Sequence, residues 1–110
     1  MRLLVGRSIG TAALAHLPEW NHVSSLWIAP LTSAAHVREA LAAWRGPKLV
    51  VAGDADDAFQ PVASVETVLV PGADHGFDVG DAAASAHALA DALDRVGAWV
   101  SGAAATAGGP

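Results

Sequence analysis

The run Lys48-Leu49-Val50-Val51-Ala52 constrains this chain more than any other feature. It is bounded by Gly46-Pro47 and Gly53, too short for a helix, and apolar without alternation. Such a strand has no face for water, so it needs cover on both sides, as a parallel strand flanked by helices has. The remaining segments fit that setting. Residues 2–5 read as a short buried strand and 9–17 as a helix stopped by Pro18. After a loop over 18–22, the apolar run within 22–29 predicts a strand ending at Pro30. Thr32 or Ser33 can cap a helix over 34–44 that places Val37, Leu41 and Trp44 on one face. Residues 53–61 are a loop, 65–70 a strand and 71–80 a second long loop. A helix follows over 81–100, capped by Asp81, with Ala86, Leu89, Ala90, Leu93, Val96 and Val100 as its apolar face. Strands alternating with helices imply right-handed crossovers and an α/β class: three α/β/α layers around a mostly parallel sheet of about four strands. The Ala/Gly-rich stretch 102–110 lacks periodicity and reads as a disordered tail, leaving 1–101 as one domain.

Composition removes several classes of function. The chain has 110 residues, 53% of them hydrophobic and 15% charged, and no cysteine. Disulfides, thiolate metal sites and cysteine nucleophiles are therefore excluded. Residues 1–50 carry five basic and two acidic side chains, and residues 51–110 one basic and nine acidic, for a net charge of −5. No basic stripe is available to follow a phosphate backbone, so nucleic acid is not an expected partner. No apolar run has the length of a membrane span and no signal peptide is visible, which makes the cytoplasm the expected compartment and a membrane an unexpected partner.

The chemistry concentrates in three loops. Gly6-Arg7-Ser8-Ile9-Gly10 follows the apolar Leu3-Leu4-Val5 and precedes the helix-prone Thr11-Ala12-Ala13-Leu14-Ala15. A G-x-S-x-G sequence between strand and helix is the pattern of a nucleophile elbow, whose sharp turn holds the serine in a strained backbone where bulky neighbours clash. The alternative is an ordinary glycine turn with Ser8 as a helix N-cap. Gly53-Asp54-Ala55-Asp56-Asp57 follows the third strand and Gly72-Ala73-Asp74-His75-Gly76-Phe77 the fourth. In parallel sheets functional groups gather beyond the carboxyl ends of the strands. A serine hydroxyl becomes a nucleophile when an imidazole takes its proton, and the imidazole needs a carboxylate to fix its tautomer. Serine, acid and histidine occur here in that chain order, at one expected edge.

These residues, with Leu4–Thr11, Trp27-Ile28-Ala29-Pro30-Leu31 and Pro47–Asp56, resemble the α/β-hydrolase family, in particular its small dienelactone-hydrolase-like bacterial branch. The resemblance runs from residue 2 to about residue 100 and matches the C-terminal half of that fold. It implies a serine hydrolase acting by acyl transfer on a small ester-like substrate, without a cofactor. Ser8 would be the nucleophile, Asp56 the orienting acid, His75 the general base, and the Ile9 N–H one oxyanion donor. Asp54 and Asp57 compete with Asp56 for the acid's role, or serve as turn formers. A calcium loop needs regularly alternating oxygen ligands and a distal glutamate, and that frame is missing, so no metal is expected. His75 could instead be a loop histidine bonded to Asp74. His16, His22, His36 and His87 read as structural, and Trp20, Trp27, Trp44 and Trp99 as packing residues. Trp20 and Phe77 are the candidates to line a substrate pocket, and Arg7 reads as solvated or packed on a helix.

In the family, the second oxyanion donor follows an earlier strand, which this chain does not carry. Leu3-Leu4-Val5 would then form an exposed edge suited to self-association or to pairing with a partner. The sequence thus carries a second expectation: a catalytically impaired hydrolase-like module, or one piece of an assembly, bound through that edge. A third, an anion cradled at the helix N-terminus, lacks the G-x-x-x-x-G-K-[ST] spacing.

Overall fold

The computed structural model describes residues 2–107. Its elements are β1 (Leu3–Arg7), α1 (Ile9–Leu14), β2 (Ser24–Ile28), α2 (Ala35–Ala43), β3 (Lys48–Gly53), β4 (Thr67–Val70) and α3 (Ala82–Ala107), with a 3₁₀ turn at Pro18–Trp20. The four strands pair in sequence order, β1-β2-β3-β4, and all in parallel. The chain is an α/β fold whose sheet is covered on both faces.

Alternation along the strands sorts side chains into two cores. Trp27, Val50 and Ala52 join Leu14 of α1 and Val37 and Leu41 of α2 on one face. Leu26, Leu49, Val51, Val68 and Val70 face Ala92 of α3 on the other. β3 is buried along its length after Lys48, as a doubly covered strand must be. Trp27 and Trp44 are both buried and meet edge to face, with centroids 5.4 Å apart at 84°. Their indole N–H groups donate to Ser25 Oγ and to the Val23 carbonyl, so neither ring buries an unpaired donor.

Several local expectations change in three dimensions. Helix α1 ends at Leu14, ahead of the boundary expected near residue 17, because the chain already turns toward Pro18. Neither Thr32 nor Ser33 caps α2, whose N-cap position is Ala34. The Thr32 hydroxyl instead donates to the Gln60 carbonyl and accepts from the Gln60 N–H, fastening two loops together. Asp81 does cap α3, accepting from the Ala84 N–H at 2.8 Å. Helix α3 runs on to Ala107, into the stretch 102–110 expected to be disordered; alanine carries the lowest intrinsic cost in a helix. Residues 108–110 of that stretch lie outside the described residues.

The apolar face of α3 is also rotated from the one its sequence suggests. Ala92 is buried, and Ala88, Val96 and Trp99 pack beside it, whereas Leu89 and Leu93 are exposed. Hydrophobicity spreads over more than half the helix circumference, so periodicity alone cannot choose which part meets the sheet.

Candidate active site

Parallel strands bring their carboxyl ends to one edge, and three loops there build the site. Ser8 directly follows β1, Asp56 lies in the loop after β3 and His75 in the loop after β4. Ser8 Oγ lies 2.7 Å from His75 Nε2, and His75 Nδ1 lies 2.7 Å from Asp56 Oδ2. A carboxylate can only accept, so Nδ1 carries the ring proton and Nε2 is left to accept from the Ser8 hydroxyl. The Asp56 side chain is almost fully buried, at 1% exposure, while that of His75 is 40% exposed. This chain of hydrogen bonds is thus anchored in the interior at Asp56 and opens to solvent at the imidazole.

The backbone at Ser8 shows the geometry that the glycines flanking it suggested. Its φ of 52° and ψ of −115° place a non-glycine residue in a sparsely populated region, which costs of order 1–3 kcal/mol. Ser8 occupies the N-cap position of α1, but its side chain makes no capping bond to the helix. The surrounding structure holds the turn from both sides. Ser8 N–H donates to the Ile28 carbonyl, and the Ser8 carbonyl accepts from both the N–H and the hydroxyl of Thr11. The Thr11 hydroxyl accepts in turn from Leu31 N–H. Thr11 is fully buried and ties the elbow to the loop after β2, a positioning role that sequence reasoning missed. A threonine three residues after a strained serine, on the inner side of a helix, was the available signal.

The two glycines of the motif differ. A Cβ at Gly6 would lie 2.7 Å from Leu14 Cδ1 and 2.9 Å from the Gly10 carbonyl oxygen, so the strand can approach α1 only without a side chain. A Cβ at Gly10 would meet nothing within 4 Å, against the expectation that both glycines relieve crowding.

The competition among aspartates is decided by where each side chain points. Asp54 is exposed and accepts from Gly72 N–H, helping to hold the loops after β3 and β4 together. Asp57 is exposed. Asp56 alone reaches His75, and its other oxygen accepts from the Ala58 N–H. Asp74 organises the histidine loop through the N–H groups of Gly76 and Asp78, so His75 is not bonded to it as the plainer reading had it. The two loops are further joined by Ala55 N–H donating to the Ala73 carbonyl, which sets the distance from acid to imidazole.

Of the two pocket candidates, Phe77 lines a groove of about 630 Å³ between the sheet and α3. Trp20 does not. Its ring lies under the Arg2 guanidinium, 5.4 Å away, at the amino end of β1. That is the end of the sheet opposite Ser8, because the 3₁₀ turn at Pro18–Trp20 precedes β2 rather than following a strand. Among the described residues no group of three or more His, Asp or Glu side chains could hold a metal ion, and no helix is long and apolar enough to cross a membrane. His16 and His36 meet as a tilted ring pair between α1 and α2, with centroids 5.8 Å apart.

Comparison with family models, with curated proteins and with solved structures finds no match to this chain.

Proposed function

We propose that this chain acts as a serine hydrolase, transferring the acyl group of an ester-like substrate to Ser8 and then to water, as the α/β-hydrolase resemblance implies. The observation that carries the reading is the unbroken chain of hydrogen bonds from Ser8 Oγ through His75 to buried Asp56, set on a strained serine. Ser8 Oγ attacks the carbonyl carbon while His75 Nε2 takes the hydroxyl proton. That proton then passes to the leaving alcohol, and water, activated by the same imidazole, releases the acid. Asp56 holds the ring through Nδ1 and stabilises its charged form. Ile9 is the first residue of α1, so its N–H has no acceptor within the helix, which supports it as the donor to the developing oxyanion. One such donor contributes about 10²–10³ in rate.

A fluorophosphonate probe tests the assignment. Covalent labelling of the wild type and none of Ser8→Ala is the expected pattern, whereas labelling that persists in Ser8→Ala excludes Ser8 as the nucleophile.

One observation favours a second reading, that of a hydrolase-like module bound to a partner. β1 lies at the edge of the sheet, with β2 as its single strand neighbour and Val5 55% exposed. An unpaired edge of this kind is a template for another strand.

A further inference from the structure

The groove beside α3 is lined by chain neighbours of Ser8 and His75, not by those two residues themselves. Arg7, which precedes Ser8, and Gly76 and Phe77, which follow His75, line its mouth. Leu26, Ile28 and Val51 of the sheet form its floor, and Leu89 and Leu93 of α3 form its wall. Its polarity is graded. The polar groups lining it, Arg7, Asp78, Asp81 and Ser85, belong to the carboxyl end of β1, the histidine loop and the first turn of α3. From Ala86 onward, every lining residue of α3 is apolar. The α3 wall runs from Ala82 to Val96, about 21 Å at the helical rise, and its apolar surface is aliphatic apart from Phe77. A long aliphatic trough that is polar only at the end nearer Ser8 suits a flexible chain attached to a polar head group better than a compact ring.

Resting on the hydrolase reading above, we infer that the groove takes the aliphatic acyl chain of the ester, with the carbonyl at Ser8 and the chain lying along α3. The class of substrate is then a medium- to long-chain acyl ester. The occupant is assigned to the substrate because the groove is continuous with the residues flanking Ser8 and His75. Burying one methylene is worth about fourfold in an equilibrium constant when burial is complete, and about twofold in a trough open on one side.

The experiment is a p-nitrophenyl ester series from acetate to dodecanoate. Wild-type kcat/KM should rise by about twofold per methylene, so that octanoate exceeds acetate by about 60-fold. Leu93→Asp should collapse the ratio of dodecanoate to acetate toward one. Leu93 is 59% exposed, so the charge does not disturb the core. Leu69→Asp, on β4 outside the groove, should leave the ratio as in the wild type. A flat profile with acetate still cleaved overturns the acyl-chain assignment and leaves the hydrolase reading standing. No turnover of any ester, together with no Ser8-dependent probe labelling, overturns both. If Leu93→Asp turns a dimer into a monomer and leaves the length profile unchanged, the groove is an interface between copies, and the assignment fails.

Discussion

At the scale of single residues, this molecule places its strain at Ser8 and relieves crowding at Gly6. The two glycines of the elbow separate into one that is required and one that is tolerated, a distinction the pentapeptide does not contain. Gly6→Ala must push against Leu14 and the Gly10 carbonyl, a cost of about 2 kcal/mol. Gly10→Ala meets open space inside a helix and should be neutral or slightly stabilising, since glycine is about 1 kcal/mol worse than alanine there. Urea denaturation of both variants checks the pair. Asp56 supplies the second residue-scale prediction. On the proposed hydrolase function, Asp56→Asn should retain the fold while lowering ester turnover by about 10⁴, because an amide no longer enforces the tautomer that leaves Nε2 free to accept. A comparison of kcat with the melting temperature separates this from simple unfolding. Thr11 works more quietly. Fully buried, its hydroxyl joins the Ser8 carbonyl to the Leu31 N–H and so holds the elbow against the loop after β2.

The helices show how far local pattern reaches at the scale of elements. Helix α2 ends against Lys48, whose ammonium donates to the carbonyls of Leu41, Ala42 and Trp44, a favourable place for a cation at a helix C-terminus. Partial burial lowers the pKa of this ammonium below its ordinary value of 10.5. Helix α3 tests the rotation of the apolar face. Ala92→Asp would bury an unpaired charge against the sheet and should destabilise the protein by several kcal/mol. Ala90→Asp, on the solvent side, should change stability by no more than about 0.5 kcal/mol. Thermal melting of the two variants distinguishes the observed face from the one that periodicity suggested. The strands were easier to locate. β3 is legible as a doubly covered strand because it has no polar position after Lys48. β1 runs two residues beyond its expected end, to Arg7, because pairing with β2 continues to Ile28.

For the whole molecule, the unequal cover of the sheet is the main consequence. Two helices pack on one face and a long helix, set over β3 and β4, on the other, which leaves Val5 of β1 and Leu89 and Leu93 of α3 exposed. If that edge pairs with another copy, dilute and concentrated samples will differ in mass by light scattering. Val5→Lys, a charge at the centre of the edge strand, should remove the concentration dependence. A single mass over a wide concentration range would dismiss self-pairing through β1.

The sequence by itself determined the order and type of the elements, the parallel sheet and the three loops that carry Ser8, the aspartates and His75. These are properties of short stretches: apolar runs, helix breakers and glycine turns act within a few residues. Tertiary structure alone decided which aspartate meets His75, which part of α3 meets the sheet, and that Trp20 sits at the far end from Ser8 while Phe77 lines the groove. Each of these depends on contacts between residues distant in the chain, as the sequence separation of 67 between Ser8 and His75 illustrates. Local preferences set the backbone of each segment, but only the packing of segments against one another orients their side chains.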